Sequence, residues 1–286
     1  MIYLAVVSLI WAFSFGLIGN ALSDVDSFFT ATVRLGCATL LFLPFLLAKE
    51  IPQTDRLRLV FIGAIQFGVM YACYMQAFQY LPSHLVAIFS ILTPVYVVII
   101  HDLRKRTFSS RYLLVALLSV LGAAAIKAKT IPTGDFWIGF GLMQVAGIAF
   151  AYGQIAYRDW KQSNPQANDR SVFALLAMGG TICVGIGGFF LSDWSTLEVK
   201  PDQWKAILYL GFVASGIGFF LWNKGASKVN PGTLAAFNNA VVPLAVICSL
   251  FIFGETSSMD TENTFRLAIG SIFIGLAVYT GKRTSA

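Results

Sequence analysis

Two consecutive amides, Asn238 and Asn239, lie deep inside an apolar run of this 286-residue chain, about one turn before Pro243. Burying an amide away from water without a hydrogen-bond partner is costly, on the order of several kcal/mol. The two side chains therefore either line a polar cavity or bond to a neighbouring helix, and we expect cavity lining. The chemistry available to them is hydrogen bonding to a small polar solute.

These amides belong to a repeat, because the stretch 223–243 has a second copy 149 positions earlier, at 74–94. Pro94 in the first copy corresponds to Pro243 in the second, and each can kink its helix by removing a backbone hydrogen bond. Because the two prolines occupy corresponding positions in the two copies, we favour a functional bend over a kink that only improves packing. Three further pairs of candidate binding residues correspond under the same shift: Tyr74 with Asn223, Phe89 with Asn238, and Ser90 with Asn239.

A second set of polar residues occupies one narrow helical face, at spacings of three and four. Its members are Gln144, Gly147, Ala151, Gln154 and Arg158. Gln144 and Gln154 on this small-residue face are suited to a polar pathway. Two aromatic candidates lie outside the face: Tyr152 and Trp222, although a tryptophan near a membrane boundary is also typical of an interfacial belt.

Three ionisable residues are candidates for charge recognition or ion coupling. Arg34 is the only Lys or Arg well inside an apolar run, where a charge is expensive and usually functional. It could pair with Asp24 or Asp26, a structural role that we slightly favour, or it could attract a carboxylate solute. His84 and Glu255 lie at the edges of apolar runs, where contact with water is the simpler interpretation.

The elements that position these residues are membrane-spanning helices. The chain is 57% hydrophobic and 12% charged, with a mean hydropathy of +0.73. A span needs about 20 apolar residues, and in lipid such runs are helical because the backbone must bond internally. The stretches that qualify are 2–21, 28–48, 58–79, 84–101, 112–128, 136–157, 172–192, 204–226, 231–253 and 265–281. These ten stretches predict an all-α integral membrane protein.

Loop charges predict the orientation, since Lys and Arg accumulate in cytoplasmic loops. One set of loops holds fourteen of the twenty basic residues, so both termini are expected in the cytoplasm. Ten spans divide into two sets of five, at 1–130 and 131–286, and an odd number makes the second set enter from the opposite side. This predicts inverted repeats around a central cavity, an arrangement of many secondary transporters.

Several functional classes are disfavoured by the composition. The net charge of +6 lies in short loops and not on a soluble module, which argues against nucleic-acid binding. The four cysteines form no CxxC pair, so neither a disulfide nor a metal site is predicted. We expect no cofactor and no catalytic residues, a small-molecule solute and the lipid bilayer as the partners, and a monomer.

Particular segments resemble a known family. The first span reads LIWAFSFGLIGN, the second contains Val33-Arg34-Leu35, and the runs 77–94 and 221–255 look like paired motifs. Together they resemble EamA-like carriers of the drug/metabolite transporter superfamily. The resemblance implies ten helices from a duplicated five-helix unit, and it adds Trp11 and Ser14 as cavity candidates. Smaller relatives that export cationic drugs carry a glutamate in the first span, which is absent here.

The sequence therefore predicts an inner-membrane secondary transporter for small polar metabolites, either amino acids, amines or carboxylates, working by alternating access. Multidrug or toxic-metabolite export is the main alternative. An intramembrane enzyme acting on lipid-linked substrates would need paired carboxylates, a metal cluster or an activated nucleophile near the membrane interface. It is disfavoured because the two histidines, His84 and His101, are predicted on opposite sides of the membrane and cannot share a site. A passive receptor or assembly subunit is a further alternative.

Overall fold

The computed structural model describes residues 1–22, 24–47, 50–77, 80–81, 86, 89–127, 136–192, 197–252 and 261–283. Within these ranges the secondary structure is helical and contains no strand. The prediction of an all-α protein is therefore confirmed for the part of the chain that is described. His84 and Glu255 lie outside these ranges.

The described helices are numbered here in chain order. They are α1 (Ile2–Ala21), α2 (Ser27–Phe42), α3 (Gln53–Ala77), α4 (Thr93–Lys105), α5 (Ser110–Lys127), α6 (Phe136–Ser163), α7 (Asp169–Leu191), α8 (Pro201–Ala226), α9 (Pro231–Phe251) and α10 (Thr261–Arg283). Seven helical stretches among the described residues are long and apolar enough to cross a membrane, as an integral membrane protein requires. They lie in α2, α3, α6, α7, α8, α9 and α10.

Polar caps fix where several of these helices begin. The Asp26 carboxylate accepts a hydrogen bond from the backbone N–H of Phe29 at 2.7 Å and caps α2. Asn230 caps α9 in the same way through the N–H of Thr233, at 2.7 Å. Each cap satisfies a backbone donor that the helix itself leaves unpaired. The sequence thus sets the helix starts locally.

Glycines allow the closest helix crossings. A Cβ added at Gly179 in α7 would lie 1.9 Å from the Val60 carbonyl oxygen in α3, and one at Gly63 would lie 1.9 Å from the Leu176 oxygen. The α5–α10 crossing is similar, because a Cβ at Gly122 would lie 2.7 Å from the Gly270 carbonyl oxygen. Small residues at these crossings bring the helix backbones into contact, as in other membrane helices.

Several helical segments among the described residues depart from α geometry, including the 3₁₀ turn Leu43–Phe45 after α2. Residues Ala64–Val69 of α3 and Leu210–Ile217 of α8 form π-helix, which is frequent at functional sites. The 3₁₀ turn Ser90–Leu92 precedes α4, so Pro94 stands in the first turn of that helix and does not kink it from inside. That position needs no backbone N–H and therefore tolerates proline. Pro243, in contrast, lies inside α9.

Candidate functional site

A cavity of about 190 Å³ lies between the helices and is the candidate site. It is lined by side chains from α1, α2, α3, α4, α6, α8 and α9 and from the turn before α4. Six predicted residues are among them: Trp11, Ser14, Arg34, Tyr74, Ser90 and Asn238. Residues distant in sequence therefore meet around one space.

Aromatic rings form one wall of this cavity. The Trp11 indole N–H donates to the Ala214 carbonyl oxygen at 3.0 Å, which fixes the ring on α8. Its ring centroid lies 5.5 Å from that of Phe219, 6.2 Å from that of Phe150 and 4.8 Å from that of Trp222. Phe150 and Phe219 also line the cavity, so this wall offers an apolar surface to a solute.

Arg34 brings a positive charge to the same cavity, and 6% of the residue is exposed. Its Nε donates to the Ser215 hydroxyl of α8 at 3.2 Å, and its guanidinium carbon lies 5.2 Å from the centre of the Tyr71 ring. Ser215 belongs to the π segment of α8. Arg34 therefore connects α2 to α8 and to α3.

The predicted pairing of Arg34 with Asp24 or Asp26 is wrong, because both carboxylates bind elsewhere. Asp26 caps α2 and also accepts a hydrogen bond from the Ser192 hydroxyl at 2.7 Å. Asp24 accepts from Gln203 at 2.7 Å and pairs with Lys200 at 3.3 Å. A backbone hydrogen bond and the bond from Lys200 hold the pKa of Asp24 below its usual value.

Asn238 contributes an amide to the cavity while remaining paired. Its side chain and that of Gln154 exchange hydrogen bonds, each with a nitrogen–oxygen distance of 3.2 Å. Its amide nitrogen also donates to the Leu234 carbonyl oxygen at 2.9 Å. Gln154 is fully buried behind Asn238, so it orients the cavity amide from outside the cavity wall.

Asn239 has a different environment from its neighbour. It is 2% exposed and does not line the cavity. Its amide donates to the Ile91 carbonyl oxygen at 3.0 Å, in the 3₁₀ turn before α4, and approaches the Ser119 hydroxyl at 3.5 Å. It thus holds the 3₁₀ backbone before α4 in place, as side chains in membrane helices do where an α-helix is broken.

We therefore expect Asn239→Leu to lower the free energy of unfolding by about 1–3 kcal/mol, because the buried Ile91 carbonyl loses its donor. The matched control is Asn164→Leu, which removes a similar bond of 3.0 Å to the Trp160 carbonyl at a partly buried helix end. Thermal unfolding of the detergent-purified variants measures both losses. Equal midpoints for the two variants would show that the Asn239 bond stabilises no more than a bond at a helix end.

Another amide pair crosses the bundle beside the aromatic wall. Gln66 in α3 donates to the Asn223 side-chain oxygen in α8 at 2.8 Å, and Asn223 donates back at 3.4 Å. The two residues are 0% and 1% exposed. These two buried polar side chains therefore satisfy each other and join α3 to α8.

Comparisons with known proteins agree with this architecture. The EamA-like transporter family matches residues 1–128 and again residues 132–281. This chain belongs to the EamA-like transporter family. It is 36% identical to a biotin transporter of Escherichia coli (strain K12) over 271 residues, which cover 94% of this chain and 90% of that protein. The resemblance to the drug/metabolite transporter superfamily is confirmed.

Two further matches extend the comparison of this EamA-like transporter. A probable biotin transporter of Pseudomonas aeruginosa is 35% identical over 284 residues, which cover 99% of this chain and 97% of that protein. A solved crystal structure superposes with a TM-score of 0.79, covering 98% of this chain and 96% of that chain at 13% identity. The latter match is one of fold alone.

Other predicted residues of the EamA-like transporter do not line the cavity. Gln144 accepts a hydrogen bond from the Tyr96 hydroxyl at 2.7 Å and packs beside Phe140, to whose carbonyl it donates at 3.3 Å. The ring of Phe89 contacts that of Phe140, with centroids 4.9 Å apart. Four more candidates lie in the packing around the cavity: Tyr152, Gln154, Trp222 and Asn223. For all of these, direct solute contact remains a prediction.

Sequence reasoning missed Ser215 and Gln66. Ser215 shares a helix face with Gly211 and Gly218, small residues that indicate close helix contact, and Gly218 does lie against Trp11. Gln66 carries an amide within a predicted span, as Gln154 does, but it was not among the predicted site residues. The 149-residue shift places Gln66 on Ser215, so the repeat contained a signal for both.

Ion pairs gather at the face where α1 begins, here called the N-terminal face. Arg104 at the end of α4 pairs with Asp159 of α6 at 2.8 Å, and Lys105 approaches the same carboxylate at 3.6 Å. Asp169 pairs with Lys161 at 2.7 Å and with Lys224 at 3.3 Å. Among the described residues no group of three or more His, Cys, Asp or Glu side chains could hold a metal ion.

Proposed function

We propose that this protein is a secondary transporter for small carboxylates that carry an apolar body, with biotin as the first solute to test. The observation that carries this proposal is the cavity, where an aromatic wall, an amide and a buried arginine meet. Relatives of 35–36% identity over most of the chain are named biotin transporters. Biotin has an apolar chain and ring, a ureido group that bonds to amides, and a carboxylate.

This proposal narrows the substrate expected from the sequence. Amino acids and amines were expected beside carboxylates, but the names of the relatives do not favour amino acids. The cavity also offers no carboxylate from the described residues to hold an ammonium group. An amine or an amino acid would therefore leave its positive charge unpaired in a buried space, which is costly.

We further propose ten spans arranged as two inverted repeats of five helices, 1–130 and 131–286. The packing pairs support this arrangement: α1 packs on α9 as α6 packs on α4, and α2 packs on α8 as α7 packs on α3. The π segments also lie at corresponding positions of α3 and α8. The two family matches divide the chain at nearly the same point.

Alternating access would then rock one repeat against the other. On the N-terminal side of the cavity the Arg104–Asp159 ion pair and the Gln66–Asn223 amide pair join the repeats. At the opposite face the hydrogen bonds of Asp24 with Gln203 and of Asp26 with Ser192 join them as well, so rocking would break contacts on each face in turn. With the charge rule for loops, the N-terminal face is the cytoplasmic face of an inner membrane, and both termini lie on it.

The direct test is uptake of radiolabelled biotin into proteoliposomes that contain the purified protein. We expect uptake above that of protein-free liposomes, saturation with concentration, and inhibition by unlabelled biotin. Imposed sodium and proton gradients, applied in turn, identify a coupling ion or a uniport mechanism. Uptake no greater than that of protein-free liposomes under every gradient would contradict the proposed function.

A further inference from the structure

Arg34 is a buried charge whose hydrogen-bonding capacity is only partly used. Of its three guanidinium nitrogens, Nε donates to Ser215, and neither terminal nitrogen has a hydrogen-bond acceptor among the described residues. Neither nitrogen is sealed off from the cavity, since Arg34 has no fully enclosed unbonded atom. The residue lines the cavity, so these terminal nitrogens are available to a solute.

No carboxylate neutralises this charge within the described part of the chain. Every acidic residue there that forms an ion pair does so with a base other than Arg34. No Asp or Glu oxygen in the described part of the chain lies within 4.0 Å of an Arg34 nitrogen. A charge buried in a membrane protein without a counter-ion is expensive. An anion entering the cavity would remove that cost, so the buried charge favours anionic solutes.

The surroundings of Arg34 also orient it for such a solute. Ser215 binds the Nε, and the face of the Tyr71 ring lies against the guanidinium carbon. These contacts restrict rotation of the side chain while leaving its terminal edge open. The fork of an arginine matches the two oxygens of a carboxylate, which a lysine ammonium does not.

We infer that Arg34 is the specificity-determining residue of the cavity and binds the carboxylate of the transported solute through its terminal nitrogens. Ser215 acts as a positioning residue for this contact. The inference rests on the proposed function, because it assigns the charged end of the solute within the same cavity. The apolar body of the solute would then lie along the wall formed by Trp11, Phe150 and Phe219.

The test compares binding of a carboxylate with binding of its neutral carboxamide, in wild type and in Arg34→Gln. The probes are biotin with biotin amide and pentanoate with pentanamide, at neutral pH, by isothermal titration in detergent. We expect the wild type to prefer each acid by about 10- to 100-fold, the range of a charge-assisted hydrogen bond. Arg34→Gln should abolish the preference through weaker acid binding, while carboxamide binding changes by less than about threefold.

Two more variants keep the test decisive if Arg34→Gln fails to fold. Ser215→Ala retains the Arg34 charge but removes the hydroxyl that holds its Nε. It should therefore reduce the acid preference by about threefold to tenfold. Arg34→Lys should retain only part of the preference. An unchanged acid preference in every variant that folds would overturn the inference, and so would a wild type that prefers neither acid. A wild type that binds pentanoate through Arg34 but not biotin would overturn the choice of biotin and leave Arg34 as the carboxylate site.

Discussion

Replacing Gly179 with alanine is expected to disrupt the packing of α7 against α3. A Cβ at this position would lie 1.9 Å from the Val60 carbonyl oxygen and 3.0 Å from the Ala64 nitrogen. Because both obstacles are backbone atoms, no side-chain rotation relieves the clash, and the helices must separate. Overpacking usually costs about 1–3 kcal/mol, and we expect a loss above that range here.

The readout is the fraction of protein that elutes as a single species after detergent extraction, together with its thermal midpoint. Gly36→Ala in α2 is the matched control, because a Cβ there meets nothing within 4 Å. The same chemical change should leave Gly36→Ala as stable as wild type or slightly more so, since alanine favours helix. If Gly179→Ala matched Gly36→Ala in both measurements, close contact between α3 and α7 would not be a requirement of the fold.

Breaking the amide pair between α3 and α8 is the second change with a large expected effect. Gln66→Met keeps the length of the side chain, which the close approach of Gly153 requires, but leaves the Asn223 amide buried without its partner. The loss should be about 1–3 kcal/mol, the cost of a buried polar group left unsatisfied. Asn223→Leu should cost a similar amount by exposing the Gln66 amide to the same apolar surroundings.

A double-mutant cycle isolates the pair from other packing effects. The double variant Gln66→Met/Asn223→Leu removes both amides, so we expect it to be less destabilised than the sum of the single variants, with a coupling of about 1–3 kcal/mol. Thermal unfolding at one heating rate and solute uptake are measured for all four proteins. Additive losses would contradict a direct interaction between these side chains.

The candidate site was predictable from the sequence only in part, and Asn238 and Asn239 illustrate why. The sequence correctly singled out both amides as buried polar groups that need partners. Consecutive residues of a helix point about 100° apart, so the two amides meet different neighbours. Asn238 faces the cavity and Gln154, whereas Asn239 bonds to Ile91. Which amide reaches the cavity depends on how α9 is rotated against its neighbours.

The role of Arg34 was likewise predictable only in part. The energetic cost of burying its charge in an apolar run is evident from the sequence, and this cost makes it a functional candidate. The partner was expected among nearby acids, yet the observed partner is Ser215, 181 positions away. Local partners were unavailable because Asp26 is used as a helix cap and Asp24 binds Gln203. A nearest-neighbour argument cannot foresee such competing bonds.

By itself the sequence determined that this protein is helical and membrane-embedded, it predicted two related halves, and it identified which buried polar residues need partners. These properties follow from apolar run length, backbone hydrogen bonding in lipid and repeat spacing, all of which are local or periodic. Only the tertiary structure decided that Trp11, Arg34 and Asn238 share one cavity. The reason is that helix rotation and crossing depend on many weak contacts between distant residues, such as those at Gly63 and Gly179, and their sum is not encoded at any single position.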